Sequence, residues 1–134
     1  MTKSKLPILF LAVLLVGCAT YSEMRQMDKF EETAEAYKRA ITWSEFDVAS
    51  SFIKTKDGEE ESLDLEPFRE FKVASYDLKR AIPSAEKTKV VQIVEISYFK
   101  IRTMVLKRLS DRQVWEYDDE KGHWFLKSGL PDFK

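Results

Sequence analysis

The sequence predicts an α+β domain in which the helices come first and a run of antiparallel strands follows. Residues 24–41 repeat apolar side chains every three or four positions, which is the spacing of an amphipathic helix. From residue 71 onward the pattern becomes typical of strands, and short turns separate the segments. We therefore expect a long helix and a short helix packed on one face of a curved antiparallel sheet of about four strands.

The first helix is expected over residues 24–41. Its apolar positions are Met24, Met27, Phe30, Ala34, Tyr37 and Ile41. Acidic side chains predominate on the opposite face, so we expect this helix to pack against a core rather than lie on a membrane surface. After a break at Trp43, a shorter helix is expected over residues 48–53 with Asp47 as its N-cap. Residues 54–61 then form a solvated loop.

The strands follow in order. We expect the first over residues 71–82 and, after a turn at 83–86, a long central strand over residues 88–102 that is apolar on both faces. Residues 104–109 continue or pair with it, and residues 113–117 make another strand. An acidic turn with Gly122 leads into a final strand over residues 123–127, and the last seven residues form a cap.

The first eighteen residues have the organisation of a secretory signal. Lys3 and Lys5 give a positive start, residues 6–16 are an unbroken apolar run, and Gly17 precedes Cys18. The apolar run is too short to cross a bilayer, which needs about 20 residues. An ordinary signal peptide with an incidental cysteine is the alternative interpretation.

The segment Leu15-Val16-Gly17-Cys18 closely resembles the lipobox of bacterial lipoproteins. The resemblance implies that Cys18 carries a diacylglyceryl group, often with an N-terminal acyl chain such as palmitate, and begins the mature chain. Several acyl chains make a membrane attachment effectively permanent. Ala19, where enteric inner-membrane lipoproteins have Asp, favours the outer membrane, facing the periplasm, if the host is Gram-negative. Residues 1–17 are then the signal peptide, 18–23 the lipidated cysteine and a short tether, and 24–134 a single domain.

A second resemblance concerns the domain. The long helix ending before Trp43, the stretch Phe46-Asp47-Val48-Ala49, and the hairpin joining Val114-Trp115-Glu116-Tyr117 to His123-Trp124-Phe125-Leu126 are similar to the NTF2-like (SnoaL-like) superfamily. It covers residues 22–128 and implies a cone-shaped cavity between helix and sheet. Some members are isomerases or dehydratases that use Asp, His or Tyr in that cavity. A cystatin-like domain is the competing topology.

Few residues suggest chemistry. The possible cavity-lining residues are Trp43, Tyr98, Glu95 and Trp115. His123, the single histidine, is expected on an exposed edge or in a structural hydrogen bond. With one histidine and with Cys18 lipidated, no metal site is predicted, and no cofactor motif is present. The mild net charge of −1, with acids and bases mixed along the chain, argues against nucleic-acid binding.

These observations favour a non-catalytic envelope lipoprotein. We expect it to be held in the membrane by lipid on Cys18 and to bind a partner protein, or support an assembly, at the membrane surface. Two alternatives stay open: a lipoprotein that binds a small apolar ligand in the cone cavity, and an NTF2-like isomerase or dehydratase. A homodimer formed through the sheet is also possible.

Overall fold

The computed structural model describes residues 6–54 and 63–134, with side chains from Cys18 onward except Ala19. The elements in this part of the chain are α1 (Leu6–Thr42), α2 (Phe46–Ser50), a 3₁₀ helix (Glu66–Glu70), β1 (Phe71–Pro83), β2 (Lys89–Lys100), β3 (Leu106–Asp118) and β4 (His123–Leu126). The strands form one open antiparallel sheet in the order β1-β2-β3-β4. The predicted α+β class, with a long helix, a short helix and four strands, is confirmed. Among the described residues, no helix is both long and apolar enough to span a membrane.

Helix α1 is longer than predicted. It ends at Thr42, close to the expected boundary, but it begins at Leu6, so residues 18–23 are helical where the sequence suggested a tether. These six residues include neither Gly nor Pro, so nothing in them interrupts a helix. Phe30, Tyr37 and Ile41 are buried as expected, whereas Met24 is 63 % exposed.

The end of α1 determines where α2 begins. Ser44 has a φ of 57°, and the N–H groups of Ser44 and Glu45 donate to the carbonyls of Ile41 and Ala40, which is a Schellman motif. The chain therefore enters α2 at Phe46. The prediction of Asp47 as the N-cap is wrong: Glu45 holds that position, without a side-chain capping bond.

Helix α2 stops at Ser50 rather than residue 53 because the chain turns to cover the edge of β4. The Leu126 N–H donates to the Phe52 carbonyl, and the Lys54 N–H donates to the Leu126 carbonyl. Ile53 and Leu126 form an isolated parallel bridge. Beyond Lys54, the predicted loop over residues 54–61 lies outside the described residues.

Strand β2 has the predicted central position, and β3 is a single strand where two segments were expected. The polar stretch Ser110, Asp111 and Arg112 suggested an interruption. Each of these residues instead pairs with β2, opposite Glu95, Val94 and Ile93 respectively. Pairing with an inner strand satisfies the backbone of the polar stretch, so β3 continues from Leu106 to Asp118.

Helix α1 packs on one face of the sheet, which we call the inner face. Val94, Ile96, Trp115 and Leu126 are buried on it with the helix residues. Strand β1 has register shifts between Val73 and Ser75 and between Leu78 and Arg80. Such bulges add a residue and bend the strand. In a regular strand, residues three positions apart lie on opposite faces. Because of the first shift, Val73 and Tyr76 both pair with inner-face residues of β2.

The carboxyl-terminal cap closes one end of the core. The Phe133 ring packs against the rings of Phe46, Phe68, Phe71 and Tyr98. The Tyr98 hydroxyl donates to the Lys134 carbonyl at 3.3 Å and accepts from its N–H at 3.2 Å. Tyr98 therefore holds the last residue against the sheet.

Candidate functional site

An open groove lies between α1 and the β1 edge of the sheet, with a cavity volume of 530 Å³. Its apolar lining comes from Phe30 and Ala34 on α1 and from Leu78 on β1. Small-molecule sites commonly have volumes of about 300–1,000 Å³ and mostly apolar walls. The groove therefore has the size and lining of a small-molecule site.

The helix side of the groove is acidic. Glu31, Glu32 and Glu35 line it together with Lys38, and the three glutamates are exposed. In the part of the chain that the structure describes, none of these four side chains forms an ion pair. Their charges are therefore available to a molecule in the groove.

The sheet side of the groove carries two polar groups, Tyr76 on β1 and Gln92 on β2. Gln92 is buried, and within the described residues its side-chain amide has no hydrogen-bond partner. The Tyr76 hydroxyl accepts a bond of 2.9 Å from Nε2 of Gln113, which leaves its own proton uncommitted among these residues. Both groups can hydrogen-bond to a ligand.

Behind Tyr76, a polar cluster lies on the inner face of β3. Nε2 of Gln113 donates to Oδ2 of Asp111 at 3.0 Å as well as to Tyr76. Nε1 of Trp115 donates to Oε1 of Gln113 at 3.2 Å. Gln113 and Trp115 are fully buried, so the cluster is a fixed part of the core.

Tyr37 of α1 completes this cluster. Its side chain is 0 % exposed, and its ring meets the Trp115 ring edge to face, with 5.3 Å between centroids. The Tyr37 hydroxyl has no hydrogen-bond partner among the described residues. A buried hydroxyl without a partner is uncommon and costs free energy. Among side-chain polar atoms that are themselves fully buried, it is the one without a partner in the described part of the chain.

Burial dominates the electrostatics of the cluster. It raises the pKa of the Asp111 carboxyl above its usual range, opposed by the hydrogen bond from Gln113. It raises the pKa of Tyr76 to about 12, with the negative charges of Asp111 and Glu35 acting in the same direction. Burial, Asp111 and Tyr76 together raise the pKa of Tyr37. Both phenols are therefore neutral at neutral pH and can donate or accept hydrogen bonds.

The structure places none of the four predicted lining residues in the groove. Trp43 is 74 % exposed at the end of α1. Tyr98 is buried in the cap with Phe133. Glu95 alternates with the buried Val94 and Ile96, so it lies on the outer face of the sheet. Trp115 is in the core, where its indole N–H belongs to the polar cluster.

Tyr37, Asp111 and Gln113 were not predicted as polar site residues. One signal was available, because Asp111 and Gln113 are four and two positions before Trp115, respectively, and therefore share its face of a continuous strand. Predicting a break over residues 110–112 hid that pattern. His123 is exposed, which is one of the two environments predicted for it.

A second exposed feature is the turn joining β2 to β3, which we call the tip (residues 101–106). Four apolar side chains are exposed there: Ile101, Met104, Val105 and Leu106. Met104 has a φ of 55°, a conformation that non-glycine residues adopt at some cost. Cys18, on α1, is exposed and its thiol is free.

Within the described residues no group of three or more His, Cys, Asp or Glu side chains is arranged to hold a metal ion. No family model, no curated protein and no solved structure matches this chain.

Proposed function

We propose that this protein is a lipid-anchored envelope lipoprotein of non-catalytic type, whose domain binds a partner protein near the membrane surface. The observation that carries the proposal is the position of Cys18. This cysteine, which ends a lipobox-like segment, is exposed on a helix that continues without a break into the core of the domain. In the proposed mature protein the lipid is attached to the first residue of that helix, in the outer membrane facing the periplasm if the host is Gram-negative.

This arrangement gives a short, stiff connection. Nε1 of Trp124 donates to the Gln26 carbonyl at 2.9 Å, which fixes α1 to β4 near the start of the core. At 1.5 Å per residue, Cys18 and Gln26 are about 12 Å apart along the helix axis. A helical connection of this length keeps the near end of the domain next to the lipid headgroups.

The same helix gives the domain a near end and a far end. Met24 and Met27 of α1 line a pocket with Lys87, which is in the turn between β1 and β2. At the other end of α1, Oγ of Ser44 accepts from the Val73 N–H, and the Ile101 N–H, at the start of the tip, donates to the carbonyl of Glu70, just before β1. Cys18 and Thr42 are separated by about 36 Å of helix. The tip is therefore presented away from the lipid.

The tip supports the choice of a protein partner. It exposes four apolar side chains within six positions, and Arg102 and Arg108, within and just beyond it, form no ion pair among the described residues. Exposed apolar groups that cluster together are typical of interaction surfaces. We propose a partner that offers an apolar surface edged by carboxylates.

We also propose that residues 22–128 belong to the NTF2-like superfamily. The order of two helices before four antiparallel strands, and a groove between α1 and the inner face, support this assignment over a cystatin-like one.

Two experiments test the main proposal. Metabolic labelling with an alkyne-bearing fatty acid should label the wild-type protein and leave Cys18→Ala unlabelled, and absence of label on the wild type contradicts the anchor. For the partner, a photo-crosslinking residue at Val105 is compared with one at Asp119, in the turn at the near end. One crosslinked envelope protein at Val105, absent at Asp119 and lost in a Met104→Glu background, supports the tip as the contact.

A second candidate function, binding of a small ligand in the groove between α1 and β1, is favoured by one observation. The groove has a volume of 530 Å³, and the polar groups on its sheet side have unused hydrogen-bonding capacity. This function does not depend on the lipid anchor.

A further inference from the structure

We propose that the groove selects a small organic cation with an apolar body, of the arylalkylamine or alkylamine class. The inference rests on the proposed ligand-binding function of the groove and is independent of Cys18. It follows from three properties of the groove: the net charge of its lining, the acceptor oxygens that the lining leaves unpaired, and the apolar wall.

The charge of the lining favours a cation. Glu31, Glu32 and Glu35 outnumber Lys38, and among the described residues none of the four is neutralised by an ion pair. Glu35 and Tyr76 line the groove together, and the negative charge of Glu35 adds to burial in raising the pKa of Tyr76. An anionic ligand would meet repulsion along the helix side, whereas a cation would be attracted.

The hydrogen-bonding groups favour a ligand that donates. Within the lining, the carboxylates of Glu31, Glu32 and Glu35 have no ion-pair partner among the described residues. Gln92, which is 6 % exposed and lines the sheet side of the groove, has a side-chain carbonyl without a hydrogen-bond partner among these residues. An ammonium has three N–H donors and no acceptor, so it complements this set of groups.

The apolar wall of the groove favours a ligand with an apolar body. Phe30, Ala34 and Leu78 line the groove, and Leu78 is 52 % exposed. A phenyl or short alkyl group covering these side chains would remove apolar surface from water. A hydrophilic polyamine lacks such a group and is a poorer fit.

The test compares three probes that share a phenyl ring and differ in the head group: phenethylamine, phenethyl alcohol and phenylpropionate. The full chain, in micelles of an uncharged detergent, is titrated with each, and binding is followed by NMR at the Leu78 amide and the Trp115 indole N–H. We expect saturable shifts, with affinity falling in the order amine, alcohol, carboxylate.

Two matched variants locate the effect. Glu35→Gln removes one groove carboxylate, and Glu45→Gln removes an exposed carboxylate that does not line the groove. We expect Glu35→Gln to weaken binding of the amine about fivefold, the effect of losing a partly exposed charge pair, and to leave the alcohol unchanged. Glu45→Gln should bind all three as the wild type does. Ala34→Phe, which fills the groove, controls for partitioning of the probes into the micelle.

The outcomes distinguish cation selectivity from ligand binding as such. Equal affinity for the three probes, or amine binding that Glu35→Gln leaves unchanged, overturns the cation selectivity while the ligand function stands. Shifts that fail to saturate for every probe, or that persist in Ala34→Phe with its near-UV circular dichroism intact, overturn both. Neither result bears on lipidation of Cys18.

Discussion

Replacing Tyr37 by Phe should stabilise the protein, although removal of a buried tyrosine hydroxyl usually has the opposite effect. The hydroxyl is fully buried and has no partner among the described residues. The ring keeps its edge-to-face contacts with Trp115 and Phe52, since these do not involve the oxygen. A matched variant is Tyr76→Phe, which removes a hydroxyl that does accept a hydrogen bond, from Gln113 at 2.9 Å.

The two substitutions should change the free energy of unfolding in opposite directions. A buried polar group without a partner costs about 1–3 kcal/mol, so Tyr37→Phe should raise stability by about 1 kcal/mol or more. A satisfied hydrogen bond contributes about 0.5–1.5 kcal/mol, so Tyr76→Phe should lower stability by about 1 kcal/mol. For a domain of this size 1 kcal/mol corresponds to roughly 4 °C in Tm.

Thermal unfolding of the full chain in uncharged detergent, followed by near-UV circular dichroism, measures both changes under one set of conditions. The expected result is a Tm above that of the wild type for Tyr37→Phe and below it for Tyr76→Phe. A lower Tm for Tyr37→Phe would refute the reasoning, because it would mean that the hydroxyl has a stabilising partner in solution.

Three further predictions concern the pH dependence and the stability of the fold. Burial raises the pKa of Asp111 in the folded state, so ionisation of this carboxyl opposes folding, and stability falls as the pH rises from the unfolded pKa through the folded one. Asp111→Asn should therefore be more stable than the wild type at pH 7. In urea titrations the difference in unfolding free energy should shrink toward pH 3.8. Lys87 has a φ of 59°, so Lys87→Gly should raise the unfolding free energy by about 0.5–1 kcal/mol in the same assay, and a decrease would argue that the turn is unstrained. Trp124→Phe removes the bond to the Gln26 carbonyl and part of a buried ring, and should cost about 1–3 kcal/mol and speed hydrogen exchange in the first half of α1.

Local periodicity was sufficient for much of the fold. The three-to-four spacing of Phe30, Tyr37 and Ile41 predicted the core face of α1. Apolar residues on both faces of residues 88–102 predicted that β2 is an inner strand. The final hairpin was predicted from its acidic turn, in which Gly122 has a φ of 66°. These features depend on neighbours a few positions apart, which a single sequence contains.

The groove and the polar cluster depended on the tertiary structure. Alternation along a strand separates two faces but does not say which face α1 covers, so Glu95 was expected near a cavity and lies on the outer face. The bulge in β1 changes the alternation, and it is this shift that turns Tyr76 toward the helix. Tyr37, Tyr76 and Asp111 come from three elements, and only the register of the sheet and the packing of α1 bring them together.

The sequence by itself therefore determined the class of the fold, the order of its elements and the lipobox-like segment at Cys18, because each is encoded in contiguous residues. The tertiary structure decided which polar side chains share the inner face and which hydroxyl is left without a partner. The physical reason is that a hydrogen bond such as that between Gln113 and Tyr76 joins atoms 37 positions apart in the chain. Such a contact exists only after strand register and helix packing are fixed.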